Sequence, residues 1–365
     1  MLEPVRVGLI GCGVISNAYL RVSERFPILD FVACADLVPE ASKRTEENYG
    51  IPSTSVEELL KRDDIEVVLN LTIPAAHSEV NLAALENGKH AFCEKPFGLN
   101  VDEGAHALQR ARELDLRLGC APDTFLGGGH QTVRNLIDQG AVGQPLSGTA
   151  FMMSHGVEAW HPAPEFYYKP GGGPLFDMGP YYITALVNSL GPVKRVAAIT
   201  SRGFAQRTIT SKPKHGQIID VEVDTHTSGV LEFHSGAVVT LVMSFDVWRH
   251  SNRFIEIHGT DRSISCPDPN GFGGKVTLNG ADRSWEEQTL THPNLENSRS
   301  IGLADMCVGI RTGRAHRASG DLAFHVLEVM AAFGESSATS AHIELTSKPE
   351  RPMALPSGLA DSELD

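Results

Sequence analysis

Two groups of residues in this sequence have types and spacings that could do chemistry together. The first is Gly11-Cys12-Gly13-Val14-Ile15-Ser16, which follows the apolar run Val7-Gly8-Leu9-Ile10 directly. Strand, glycine turn and helix in that order present backbone amides and a helix dipole to a pyrophosphate. Ser16 stands where a third glycine is usual, and a small side chain there still permits close packing and could cap the helix. A second apolar run, Phe31 to Ala35, ends in Asp36, about where an acid accepts hydrogen bonds from the adenosine ribose. Leu37 and Val38 follow rather than a cation, so NAD is expected and NADP less so.

The second group carries the reaction itself. Leu71-Thr72-Ile73-Pro74-Ala75-Ala76-His77 and Cys93-Glu94-Lys95-Pro96 each end an apolar run, and open α/β sheets bind ligands at the carboxyl ends of their strands. Leu71, Thr72, Pro74, His77, Glu94 and Lys95 are therefore expected beside the cofactor, together with Gly11 to Ile15 and Asp36. Farther on, Gly171-Gly172-Gly173-Pro174-Leu175-Phe176-Asp177-Met178-Gly179-Pro180-Tyr181 sets an acid and a phenol one helical turn apart. If the dinucleotide serves to oxidise an alcohol, some group must take the hydroxyl proton as hydride departs. A free phenol titrates near ~10 and is a poor base, and a Lys95 ammonium nearby is expected to lower that value. Of the adjacent Tyr181 and Tyr182, the first is expected to face the pocket and the second the core.

These motifs closely resemble the Gfo/Idh/MocA oxidoreductases, a family that includes glucose-fructose oxidoreductase, inositol dehydrogenases and glycoside 3-dehydrogenases. The likeness spans nearly the whole chain and rests on the glycine loop, the Thr72 to His77 segment, Glu94-Lys95-Pro96 and the Gly171 to Gly179 stretch. It implies that Lys95 lies between nicotinamide and substrate, that Asp177 holds substrate hydroxyls, and that the enzyme acts on a sugar, glycoside or cyclitol, with carbon 3 of a glucoside one position. Many members carry histidine four residues after the acid; Tyr181 stands there instead, as in glucose-fructose oxidoreductase-like members, and is expected to transfer the proton with Lys95. Two other readings stay open: an NAD-dependent glycosidase that oxidises carbon 3 transiently, and a sugar and nucleotide sensor without turnover. Asp123, Trp160 and His161 are further candidates for the sugar site, an indole being suited to stacking on a pyranose.

The elements that must position these groups follow from periodicity. Strands are expected at Arg6 to Ile10, Phe31 to Ala35, Val67 to Leu71, His90 to Cys93 and Arg117 to Ala121, alternating with helices at 16–26, 39–49, 77–87 and 101–114. That is a doubly wound parallel sheet, expected over 1–122. Alternating segments at 229–233, 238–243 and 254–259 suggest a largely antiparallel open sheet within a substrate and assembly domain at 123–340, with helices at 180–188 and 321–335 and a surface tail at 341–365.

Composition limits the partners. Of 365 residues, 41 % are hydrophobic and 21 % charged, and the formal charge is -14, which disfavours nucleic acid and anionic membranes. Six cysteines without a CxxC pair are expected to be buried, reduced thiols, and fifteen histidines show no metal-ligand spacing. A cytoplasmic location is the expectation, and the family resemblance implies a homodimer or homotetramer.

Overall fold

The computed structural model describes residues 2–365. Its first unit alternates β1 (Val5–Ile10), α1 (Ser16–Ser23), β2 (Leu29–Ala35), α2 (Pro39–Tyr49), β3 (Ser53–Thr54), α3 (Val56–Lys61), β4 (Val67–Asn70), α4 (His77–Glu86), β5 (His90–Cys93), α5 (Val101–Glu113) and β6 (Leu118–Cys120). The six strands form one parallel sheet in the order β3-β2-β1-β4-β5-β6. Chain direction across the sheet reverses between β1 and β4, so the loops after them diverge and leave a crevice. The loops ending in Asp36, Thr72 and Lys95 open on the same rim.

Past α6 (Gly128–Asp138) the chain builds a second sheet. Its strands are β7 (Pro145–Met153), β8 (Val193–Ser201), β11 (His226–Phe233), β12 (Val238–Ser244), β13 (Ile255–Gly259), β14 (Ser263–Cys266), β15 (Thr277–Asn279), β16 (Trp285–Glu287) and β17 (Ile343–Glu344), while β9 (Gln206–Thr208) and β10 (Ile218–Asp220) pair separately. Pairing is antiparallel except between β7 and β12, which run parallel. The strands alternate a buried face with an outer one that carries Ile199, Val230 and Val238. Helices α7 (Gly173–Leu190) and α9 (Gly320–Thr339) cover the inner face, and α9 also packs on α5 and β6. One hydrophobic cluster therefore runs through both sheets.

Three differences from the periodicity have clear causes. Helix α7 begins at Gly173 rather than near Pro180, because Pro174 suits a first turn even though Gly-Gly-Gly-Pro reads as a loop. Helix α8 (Ile301–Thr312) escaped the pattern because Ile301 to Gly309 are all buried, which leaves no polar stripe to reveal a period. The residues after Thr339 are anchored rather than laid loosely over the surface: β17 pairs with β8, Leu355 is buried, and Arg317 and Arg25 hold Asp365 and Asp361, both at 2.6 Å. All six cysteines are buried and free. Among the described residues no helix is long and apolar enough to cross a membrane.

Candidate active site

The crevice between β1 and β4 is shaped by two glycines with different jobs. Gly11 adopts φ +99°, and a Cβ there would fall 2.5 Å from the Leu71 carbonyl carbon, so the turn presses against the end of β4. At Gly13 a Cβ would meet nothing within 4 Å, so this position faces open space. The Asp36 carboxylate is fixed by the Cys12 amide at 2.7 Å and the Val38 amide at 2.8 Å, leaving further lone pairs for an outside donor. Val14, Leu37 and Ile73, one from each of the three adjoining strand ends, are 93 %, 91 % and 70 % exposed. Bare aliphatic side chains around an amide-rich turn and a fixed carboxylate fit an adenine dinucleotide well. Ser16 does not cap α1; its hydroxyl donates to the Gly13 carbonyl at 2.7 Å.

The neighbouring loops are tied together from beneath. Buried Asn70 donates to the His77 carbonyl at 3.0 Å and to Asn81 at 2.9 Å, and accepts from the Thr72 amide and hydroxyl at 3.2 and 2.6 Å. His77, expected among the cofactor ligands, is instead fully buried, with its ring nitrogens 2.8 Å from the Pro96 carbonyl and 3.0 Å from the Thr72 carbonyl. Burial lowers its pKa and so favours the neutral ring. A neutral ring has one N–H, so it donates to one of these two carbonyls and packs between the two loops. Leu71 and Ile15 turn into the core, while Thr72 and Pro74 stay on the rim. Glu94 accepts from the Tyr19 hydroxyl at 2.8 Å and the Lys95 amide at 2.9 Å, which fixes the turn that presents Lys95.

Lys95, Asp177 and Tyr181 come together at this mouth. The lysine ammonium lies 2.9 Å from Asp177 Oδ1, donates to the Asp177 carbonyl at 2.7 Å, and sits 5.2 Å from the centre of the Tyr181 ring. Asp177 and Tyr181 occupy one face of α7 a turn apart, as the spacing required. Pro180 within the helix cannot bond back to the Phe176 carbonyl, which loosens the turn where Lys95 reaches main chain. The Lys95 and Asp177 side chains are 17 % and 18 % exposed, so the pair is reachable from the crevice. Tyr182 faces away, and its hydroxyl donates to Phe151.

Electrostatics modify one expectation. Burial disfavours charge on Lys95, but Asp177, Tyr181 and Glu94 outweigh it and hold the ammonium well above the usual lysine range. Tyr181 is raised rather than lowered: its burial outweighs the downward pull of Lys95 and of Arg299. Lys95 does pull the phenol down as expected, but burial outweighs that pull and Glu94 adds to the rise.

Three other candidates occupy different surroundings from those expected. Asp123 is buried and spends its Oδ2 on the Ser300 and Gly302 amides, both at 3.1 Å, at the start of α8. Trp160 lies 65 % exposed, edge-on to His161, and His161 packs edge-on to Phe166 and Tyr167. Of this aromatic group it is Tyr167 that feels Asp177, Lys95 and Tyr181; burial first, then Asp177, push its pKa up to about 12. Tyr167 and Arg299 were both missed in the sequence. Tyr167 had a faint signal in lying just before the glycine triplet, whereas Arg299 belongs to no motif.

Known proteins agree with this architecture. Residues 5–121 match the oxidoreductase family with an NAD-binding Rossmann fold, and residues 130–265 match the GFO/IDH/MocA C-terminal domain. A trans-1,2-dihydrobenzene-1,2-diol dehydrogenase from Xenopus tropicalis is 27 % identical over 305 residues, covering 80 % of this chain and 85 % of that protein. A 1,5-anhydro-D-fructose reductase from Ensifer adhaerens is 27 % identical over 290 residues, covering 76 % and 80 %. The structure of a levoglucosan dehydrogenase in complex with NADH and levoglucosan superposes with a TM-score of 0.79 at 22 % identity, covering 94 % of this chain and all of that one, which bears on the fold. With a dinucleotide crevice on one sheet and a lysine, acid and phenol at its mouth, the chain belongs to the GFO/IDH/MocA family of NAD-binding oxidoreductases.

Proposed function

We propose that this protein is an NAD-dependent dehydrogenase or reductase acting on a secondary hydroxyl of a sugar, glycoside or cyclitol, with carbon 3 of a glucoside among the positions to test. The observation that carries this reading is the Lys95 ammonium held between the Asp177 carboxylate and the Tyr181 ring at the mouth of the crevice. The relatives named above act, by their names, on small molecules of related kind.

Gly11, Gly13 and the loop amides up to Ile15 would receive the pyrophosphate, and Asp36 the adenosine ribose; its charge, with Leu37 beside it, disfavours a 2′-phosphate. When bound there, the nicotinamide supplies the acceptor or donor of hydride. The chain manages the proton. An ammonium has three donors; Lys95 spends two on Asp177 and its carbonyl, and the third can hold the reacting oxygen. Oδ2 of Asp177 is available to accept from a neighbouring hydroxyl, which sets the ring's orientation. As the phenolate, Tyr181 takes the hydroxyl proton during oxidation, and as the phenol it returns that proton during reduction.

The test is incubation of the purified protein with NAD and a panel of sugars, glycosides and inositols, following NADH absorbance and product identity together. NADH formation with a keto product supports the proposal. Aglycone release without NADH accumulation indicates a glycosidase, and ligand binding without turnover indicates a sensor; either result overturns it.

A further inference from the structure

The aromatic residues ahead of the glycine triplet form a row with a direction. Tyr167 and Phe166 stack at a tilt, with ring centres 4.1 Å apart. His161 stands edge-on to both, at 5.2 and 5.6 Å, and Trp160 stands edge-on to His161 at 5.5 Å. Exposure grows along the row, from partly buried Tyr167 and His161 to Phe166 at 50 % and Trp160 at 65 %. Open carbon-rich rings that adjoin a polar site mark a ligand contact, unlike apolar residues scattered singly over a surface.

The inner end of the row is built into the reactive mouth. A Cβ at Gly172 would fall 2.6 Å from the Phe166 and Tyr167 carbonyl oxygens, and one at Gly171 would fall 2.6 Å from a Leu99 methyl. The turn that carries the rings, Pro164–Tyr168, is therefore pressed against the residues leading into α7, the helix of Asp177. The same glycine triplet touches the loop that presents Lys95.

The row is also held from behind. Buried Glu158 accepts from Arg207 Nη1 at 3.0 Å and from the Tyr168 hydroxyl, and its carbonyl accepts from the Thr210 and Ser211 amides, both at 3.0 Å. The Ser211 hydroxyl donates to the His161 carbonyl at 2.5 Å. The segment from β9 to β10 thus fixes the aromatic loop, and a ligand that meets these rings has little ordering left to impose. Glu165 pairs with Lys214, and Lys169 with Glu222. With those charges matched, the row suits an uncharged group.

We infer that this row is a subsite for the aglycone of a glycoside. Lys95 and Asp177 engage the hydroxyls of the sugar, and Tyr167, Phe166 and Trp160 take an uncharged ring attached to its anomeric oxygen, either an aryl group or a second pyranose. An aryl ring gains offset or edge contacts with these side chains beyond its buried area, and a pyranose offers them a face of C–H groups. The inference rests on the hydroxyl chemistry proposed above and narrows its substrate from free sugars and cyclitols to glycosides.

The test compares, for the sugar that the panel identifies, the free form, the methyl glycoside, the phenyl glycoside and the disaccharide in which glucose is the aglycone. In the parent protein kcat/KM for at least one of the two ring-bearing glycosides should exceed that for the methyl glycoside about tenfold or more, chiefly through KM. Whichever of the two leads tells an aryl from a sugar aglycone. Phe166→Ala and Trp160→Ala, both at exposed positions, should each cut this ratio about threefold or more, and the double variant should bring it close to unity. Calorimetry of the preferred glycoside binding to protein saturated with NADH should show the same loss of affinity without turnover. A parent ratio near unity, or a ratio that the double variant leaves unmoved, overturns the inference while the hydroxyl chemistry stands. Turnover of inositols or free sugars with rejection of their glycosides does the same. Variants that keep the ratio but change the sedimentation coefficient assign the row to a contact between subunits, which also overturns it. If no sugar, glycoside or inositol yields NADH, the parent reading fails and this inference fails with it.

Discussion

Lys95 Nζ touches Asp177 twice, at the carboxylate and at the main-chain carbonyl. A side chain from the dinucleotide sheet is thus fastened to a helix of the second unit. Asparagine keeps an acceptor but removes the counter-charge of a shielded ammonium, and losing the charge of such a pair costs more than losing that of an exposed ion pair. Asp177→Asn should lower kcat/KM about 100-fold or more, about 3 kcal/mol of transition-state stabilisation, while NADH binding measured by fluorescence stays within about threefold of the parent. Loss of NADH binding in that variant would instead tie Asp177 to the cofactor.

Gly11 and Gly13 should respond in opposite ways to added side chains. Gly11 combines a left-handed φ with a backbone neighbour 2.5 Å from where a Cβ would sit, so Gly11→Ala should destabilise the fold by about 1–3 kcal/mol, seen as a lower Tm. Gly13 faces open space, so Gly13→Val should leave Tm of the cofactor-free protein nearly unchanged and weaken NADH binding at least about tenfold. Equal effects on Tm and binding in both variants would contradict this division.

The proposed preference for NAD rests on Asp36. Its carboxylate is locked by two amides and cannot swing aside for a phosphate, and Leu37 is 91 % exposed beside it. Asp36→Ser should raise KM for NAD about tenfold or more, and adding Leu37→Arg should bring NADP to comparable efficiency, since an arginine there accommodates the 2′-phosphate. The readout is the ratio of kcat/KM for the two cofactors; a ratio unchanged in the double variant would place the adenosine ribose elsewhere.

What was legible in the sequence was local. The glycine turn and the strand ending in Asp36 are each specified by neighbours in the chain, and their residues alone announce strand, turn and helix. Lys95, Asp177 and Tyr181 were visible as motif residues, although the ion pair of the first two depends on how α7 crosses the mouth of the first sheet. Asp123 was visible as a residue, but what it binds was not, because its contact with the Ser300 amide joins residues 177 positions apart. Trp160 shows what the loop position alone could not tell: it stands at the outer end of a row of rings whose inner end is Tyr167. His77 was found at the right loop and assigned the wrong task, since a histidine at a strand end reads alike whether it meets a ligand or two carbonyls.

The buried Asp123 should leave a mark on stability. Burial raises its pKa from the ordinary 3.8 to about 6, partly opposed by the Gly302 and Ser300 amides and by Arg299. Between those values the folded protein binds a proton that the unfolded chain has released, so stability falls as pH rises through this interval and stays lower above it. At about 1.36 kcal/mol per unit the difference is about 3 kcal/mol. Asp123→Asn retains an acceptor for the two amides without the charge, so its unfolding free energy relative to the parent should increase by about that amount from pH ~4 to pH ~6.5 and then level off. Urea unfolding at a series of pH values measures it. A difference between the two proteins that does not change with pH would mean that Asp123 titrates in the folded state as it does in the unfolded chain, and that its carboxylate is better compensated by Arg299 and the α8 amides than its burial implies.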